Sequence, residues 1–199
     1  MDFDHPPQDP FSVFSSWFEH ATSTSSLPNP NAMTIATIDE DGRPSARIVL
    51  LKAFDDRGFV FFTNRQSRKG QGLDSNGKAA IVFHWDHLDR QVRIEGSVER
   101  ADESESDDYF HSRPRESRLN AWASDQSRPI DSREALEARR KMIDDRFPEG
   151  VDLPRPPFWG GYRLIPDRIE FWQGHPYRLH DRVVYQRHGG DWTTNRLMP

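Results

Sequence analysis

Cysteine is absent from the 199-residue sequence, which excludes a disulfide framework and any thiolate metal site. No apolar run approaches the roughly 20 residues of a membrane-spanning helix, and nothing resembles the apolar core of a signal peptide. A cytoplasmic location is therefore the default expectation. The eight histidines never fall into an H-E-x-x-H arrangement, no G-x-S-x-G elbow occurs, and no G-x-G-x-x-G follows a strand-like run. Zinc hydrolysis, nucleophilic triads and dinucleotide folds are thus poorly supported. With 27 basic and 32 acidic side chains the net charge is -5, which argues against broad binding of nucleic acid or anionic lipid. Any anionic ligand must be held by a local cluster. Apolar content is only 34%, but 13 Phe, 6 Trp and 4 Tyr supply bulky packing material for one globular unit spanning residues 1–199.

Residues 1–8 show no periodicity and read as a flexible arm. Asp9 and Pro10 form a helix start, and Phe11, Phe14, Trp17 and Phe18 repeat at helical spacing to about Ala21. "TSTSSLPNPN" is a linker. Short β-prone runs come next, "AMTIATI", "SARIVLLKAF", "FVFFTN", "KAAIVFHW" and "RQVRIEGSVER", separated by turn residues and, at "SRKGQGLDSNG", by a short helix. Residues 102–147 read as a helical insertion, with a Ser132-capped helix at its end. After a Pro-rich linker come "WGGYRLI", "RIEFWQ", "YRLHDRVVYQR" and "DWTTNRL". The expected class is mainly β with helices, an antiparallel barrel closed or nearly closed by the C-terminal strands.

Four stretches carry candidate chemistry. In "RIVLLK", strict alternation puts Arg47 and Lys52 on opposite faces, so one ligand meets both only at an edge or a subunit boundary; the plain alternative is a core strand with charged ends. "SRKG", Ser67 to Gly70, joins a hydroxyl, two cations and free backbone N–H groups at a strand-to-helix turn, which suits an anion, although solvated basic turns are common. In "YFHSRPRES", Pro114 forbids one continuous helix. A helix ending near Arg113 and a new one starting at Pro114 would aim unpaired N–H groups at whatever Tyr109, Arg113 and Ser117 bind. An ordinary surface helix junction explains the same residues. In "YRLHDR", an extended backbone would place Arg178, His180 and Arg182 on one face beside Trp172, Tyr177 and Tyr185, where a planar anion fits better than bare solvent; a charged strand edge is the alternative.

Together, "RIVLLK", "FTNRQSRKG", "YFHSRPRES", "WASDQS", "FWGGYR" and "IEFWQGHPYRLHDR" closely resemble the pyridoxamine 5'-phosphate oxidase family, from about Ala32 to Pro199. The resemblance implies an FMN-binding split β-barrel, a homodimer with FMN at the subunit interface. It implies that Arg47, Ile48, Val49, Leu50, Leu51, Lys52, Phe62, Thr63, Arg68, Lys69 and Gln91 contact FMN, with Gln126, Ser127, Trp172 and Arg182 added from the partner subunit. It further implies that Tyr109, Arg113 and Ser117 meet the substrate phosphate. Lys52, Arg178, Leu179 and His180 would address the rest of the substrate, with Arg178 and His180 as catalytic residues. The implied reaction is oxidation of pyridoxamine and pyridoxine 5'-phosphate to pyridoxal 5'-phosphate, with oxygen reduced to hydrogen peroxide. A related oxidase acting on another planar heteroaromatic, like the phenazine-pathway enzymes, is the rival implied by the same fold. A non-catalytic flavin or pyridoxal-phosphate binder is a rival of a different class, distinguished by ligand retention without oxygen consumption.

Overall fold

The computed structural model describes residues 1–24 and 28–199, so the centre of the expected linker lies outside the described residues. Helix α1 (Pro10–Thr24) opens the chain. The Asp9 carboxylate accepts from the N–H groups of Phe11 and Ser12 at 3.0 Å each, and Pro10 has no N–H to waste in the first turn. Its apolar stripe buries Val13, Phe14, Trp17 and Ala21. Phe14 is fully enclosed and meets Phe54 and Phe59 edge-on at 4.9 Å each. Edge-to-face rings of this kind add to the hydrophobic gain because the positive rim of one ring meets the negative face of the other.

The strands are β1 (Ala32–Ile38), β2 (Pro44–Leu50), β3 (Ala53–Asp55), β4 (Gly58–Asn64), β5 (Lys78–Trp85), β6 (Arg90–Arg100), β7 (Trp159–Gln173), β8 (Asp181–His188) and β9 (Asp191–Arg196). All pairings among them are antiparallel, in the order β2-β1-β5-β6-β7-β4-β3, with β8 on β7 and β9 on β8. Helices α2 (Arg68–Asn76), α3 (Glu103–Ser112), α4 (Arg115–Ala123) and α5 (Arg133–Arg146) occupy the connections.

Several expectations are corrected by this arrangement. Residues 1–8 are not a loose arm: Phe3 packs on Trp17, the Tyr185 hydroxyl donates to Pro7 O at 2.8 Å, and Arg196 pairs with Asp4 at 2.7 Å. "SARIVLLKAF" is two strands, broken at Leu51 and Lys52, where Leu51 turns into the core. The break frees Lys52 from the alternation that had set it opposite Arg47. "WGGYRLI" and "RIEFWQ" are one 15-residue strand despite Pro166. The β6–β7 register shifts at Glu95/Gly96, which absorbs the proline as a bulge. Gly96 is required there, since a Cβ would overlap the Ile165 carbonyl. Finally, "YRLHDRVVYQR" is not extended at its start. A short 3₁₀ turn covers Pro176–Arg178, with Tyr177 and Arg178 at φ of 59° and 65°, and β8 begins only at Asp181.

The long β7 is the spine of the sheet. Its first part pairs with β4 through residues 159–164, its second with β8 through residues 168–173, and β6 runs along its other edge from residue 162 to 173. The core lies under this strand, with Leu164, Ile169 and Phe171 fully buried.

Candidate active site

A cavity of about 610 Å³ opens between β2, β4, the start of α2 and the α3–α4 junction. Ile48, Val49, Leu50, Lys52, Phe62, Thr63, Lys69, Tyr109, Arg113, Ser117 and Gln126 line it, together with Trp159, Asn64, Pro114, Asn120, Ala121 and Ser124. Sequence distances of more than 70 residues are thus closed into one site. Three of the lining side chains are cationic and none is a carboxylate, although carboxylates outnumber cations in the chain as a whole.

Lys69 shows what the site demands. Ser67 caps α2 by accepting from the Gly70 N–H at 3.3 Å, and the first helical turn then aims Lys69 inward while Arg68 points out. The Lys69 ammonium is buried and donates to Gln126 Oε1 at 2.6 Å, Thr63 Oγ1 at 3.0 Å and Ser67 Oγ at 3.3 Å. All three acceptors are neutral. Burial therefore lowers its pKa to about 8, with Arg47 nearby adding repulsion. A buried cation without a counter-ion is costly, and an anion entering the cavity relieves that cost.

Arg113 repeats the pattern at the helix junction. Helix α3 ends at Ser112, Arg113 is extended, and Pro114 stands at the N-cap of α4, whose first turn has no side-chain cap. The Arg113 guanidinium sits 4.8 Å over the Trp159 ring, its Nη1 is buried without a partner, and burial lowers its pKa. Ser117 lies one turn into α4 on the same wall. Beside them, Phe62 and Tyr109 stack at 4.1 Å and 20°, Trp159 lies near-parallel to both, and Lys52 Nζ is 5.6 Å from the Tyr109 centroid. Flat aromatic walls next to unneutralised cations fit a planar ligand that carries phosphate. A flavin mononucleotide and a phosphorylated pyridine both meet that description.

Not every expected residue joins this cavity. Arg47 is turned to Thr37 Oγ1 and Ser45 Oγ, each at 2.7 Å, and Arg68 pairs with Asp39 at 2.8 Å through Nε. Gln126 reaches Lys69 and Thr63 of its own chain, so the expectation that it arrives from a partner is overturned. Ser127, at φ 72°, is exposed beside it. Gln91, Trp172 and Arg182 instead form one row across β6, β7 and β8, since Gln91 pairs with Trp172 and Trp172 with Arg182. The turn bearing Arg178, Leu179 and His180 adjoins that row, and the His180 ring lies 4.6 Å from Trp172. Trp159 in the cavity and Trp172 in the row are 13 residues apart on β7, roughly 40 Å along the strand. One chain therefore carries two separate groups of candidate residues. Because the turn is not extended, Arg178 and His180 do not share a strand face with Arg182.

Sequence reasoning missed Glu170, which is almost fully buried and accepts from Arg182 Nε and Nη2 at 2.9 and 2.7 Å, with Arg93 and Arg168 also near it. Its signal was a carboxylate at a strand position between two core residues, Ile169 and Phe171. It also missed Arg155, which clamps Asp107, Glu103 and the Trp159 carbonyl and so ties α3 to the start of β7. Among the described residues, no helix is long and apolar enough to cross a membrane, and no His, Cys, Asp or Glu cluster could hold a metal ion.

Residues 21–145 match the pyridoxamine 5'-phosphate oxidase family, and residues 159–199 match the pyridoxine 5'-phosphate oxidase C-terminal dimerisation region. A pyridoxine/pyridoxamine 5'-phosphate oxidase of Burkholderia multivorans is 58% identical over 196 residues, covering 96% of this chain and 89% of that protein. One from Cupriavidus necator is 57% identical over 192 residues with the same coverage. Among solved structures, PhzG from Burkholderia lata, in complex with tetrahydrophenazine-1-carboxylic acid, aligns with a TM-score of 0.92 at 37% identity, over 100% of this chain and 96% of that one. A pyridoxamine 5'-phosphate oxidase-related, FMN-binding protein of Nostoc punctiforme shares the fold, with a TM-score of 0.74 at 19% identity over 98% of this chain and 100% of that one.

Proposed function

The chain belongs to the pyridoxamine 5'-phosphate oxidase family and has its split β-barrel fold, and from that premise we propose that it oxidises pyridoxamine and pyridoxine 5'-phosphate to pyridoxal 5'-phosphate in an FMN-bearing homodimer. The observation that carries this reading is the cavity's three cations without a carboxylate, one of them with a buried unpartnered nitrogen. Residues 1–199 act as one unit in it.

In this reading Lys69, with Thr63 and Gln126, holds the flavin phosphate, and Arg47 and Arg68 swing from Thr37, Ser45 and Asp39 to join it. Ile48, Val49, Leu50, Lys52, Phe62 and Ser127 flank the cofactor, Leu51 through its backbone alone since its side chain is in the core, and Gln91, Trp172 and Arg182 reach it from the second copy. FMN, when bound, supplies a two-electron acceptor that oxygen reoxidises with release of hydrogen peroxide. Arg113, Ser117, the Tyr109 hydroxyl and the first N–H groups of α4 grip the substrate phosphate. Lys52 and the partner's turn, through Arg178, Leu179 and His180, orient the pyridine ring. By holding the substrate ring beside the cofactor, these residues would supply much of the acceleration, because the reacting atoms would meet without a bimolecular search.

Oxygen uptake by FMN-reconstituted protein tests this. Uptake with pyridoxine phosphate but not with unphosphorylated pyridoxine, accompanied by peroxide, supports the oxidase and its phosphate clamp. FMN retention with no uptake from either ester contradicts it. The likeness to PhzG favours one second reading, oxidation of another planar heteroaromatic. That reading has no use for Tyr109, Arg113 and Ser117 as a phosphate clamp, and it predicts uptake with a reduced tricyclic acid instead.

A further inference from the structure

The turn between β7 and β8 is built around one imidazole. Its two left-handed residues, Tyr177 and Arg178, fold the chain back so that the His175 N–H donates to His180 Nδ1 at 3.1 Å. A backbone N–H can only donate, so Nδ1 accepts, and the neutral ring carries its proton on Nε2. The Trp172 ring lies against the imidazole, tilted by 43° with centroids 4.6 Å apart. The His175 side chain is itself tethered, Nε2 to Asp181 Oδ2 at 2.8 Å. The other Asp181 oxygen is held by Arg196 Nη2 from β9, and Arg196 Nη1 reaches Asp4 at 2.7 Å. The N-terminal segment, β8 and β9 are thus linked to the side chain of His175, the residue whose backbone N–H holds the His180 ring.

We infer that His175, Asp181 and Arg196 are positioning residues that fix His180 as the Nε2–H tautomer and present that N–H, with Arg178 beside it, to the ring of the substrate. The inference rests on the proposed oxidase reading only for what the N–H meets; the tautomer follows from the turn itself. Tyr177, Arg178 and Leu179 are all exposed at the tip, and two non-glycine residues in the left-handed region need such an anchor to persist. Asp181 supplies it, because its two oxygens join the turn to β9.

Long-range proton–nitrogen spectra of protein labelled on its histidine rings read the tautomer directly, with His180→Gln identifying the signals. The wild type is expected to show His180 protonated on Nε2 alone, and Asp181→Ala to show the Nδ1–H form gaining population, toward the mixture a free imidazole adopts. An Nδ1–H tautomer in the wild type, or an unchanged one in Asp181→Ala, overturns the inference. Arg196→Gln cuts the outer link and gives the same readout if Asp181→Ala does not fold. In the flavin-loaded enzyme, Asp181→Ala and His175→Ala are expected to lower kcat for pyridoxine phosphate about tenfold with flavin content unchanged. His175→Gln, which keeps a side-chain donor for Asp181, restores most of it. Equal losses in His175→Ala and His175→Gln contradict the positioning role. A wild type that shows the Nε2–H tautomer but oxidises no phosphate ester refutes the oxidase reading and leaves the anchored turn standing.

Discussion

At the scale of single residues, the site is defined by cations kept short of partners. Lys69 has three neutral acceptors and Arg113 a buried idle nitrogen, while surface arginines such as Arg57 and Arg100 are paired with carboxylates. Lys69→Met removes the buried charge but keeps the length of the side chain. The apo protein is expected to melt no lower than wild type, whereas FMN affinity falls about 10- to 100-fold, as loss of a charge-assisted hydrogen bond implies. Titration calorimetry and a melting curve check both halves. The same lysine sets a pH dependence. With its pKa at about 8 it is cationic below that pH, and an anionic ligand favours the cationic form. FMN affinity is therefore full below pH 8 and declines above it, by up to about tenfold per unit. A flat profile from pH 7 to 9 contradicts the assignment. Arg113→Ala acts differently, raising KM for the phosphate ester about 10- to 100-fold while bound FMN stays. How much of the site is legible in the sequence depends on whether local rules decide it. Pro114 announces the helix junction and hence Arg113 and Ser117, because the missing N–H acts within one turn. Ser67 likewise announces α2 by its cap. The partners of Lys69 are not legible, since Gln126 lies 57 residues away and only the folded chain brings it within 2.6 Å.

At the scale of elements, alternation and turn residues locate the strands but not their ends. The break at Leu51 and Lys52 escapes because an apolar run keeps its pattern whether or not its ladder continues. Pro166 argues for two strands where there is one, since the bulge that tolerates it is a property of the β6–β7 pair. The test is Gly96. Gly96→Ala forces a methyl into the Ile165 carbonyl, so the bulge must open, at a cost of about 2–4 kcal/mol measured by denaturant unfolding. A loss under about 0.5 kcal/mol, the range of an inconsequential surface change, contradicts the packing described. The extended reading of residues 177–180 fails for a different reason. A period of two among Arg178, His180 and Arg182 also arises in a folded turn, and nothing in Tyr177 or Arg178 signals a positive φ, which L-residues rarely adopt.

At the scale of the whole molecule, the family motifs are visible in the sequence, but their division into two groups on one chain is not. The cavity carries Lys52, Lys69, Tyr109, Arg113 and Ser117; the other group carries Gln91, Trp172, Arg178, His180 and Arg182, far along β7. A two-fold dimer brings each group against its complement twice, and the match of residues 159–199 to a dimerisation region supports that arrangement. The most direct test mixes two impaired variants, Arg113→Ala and His180→Ala, after reversible dissociation of the protein and reloading with FMN, and assays them at pyridoxine phosphate far below the raised KM of Arg113→Ala, where each variant alone is nearly silent. If sites are shared, half of the reassociated dimers are mixed and each holds one site with both residues intact. Activity with pyridoxine phosphate then recovers to about a quarter of the wild-type value. If each chain completes its own site, every site in the mixture keeps a defect and activity stays at the level of the separate variants.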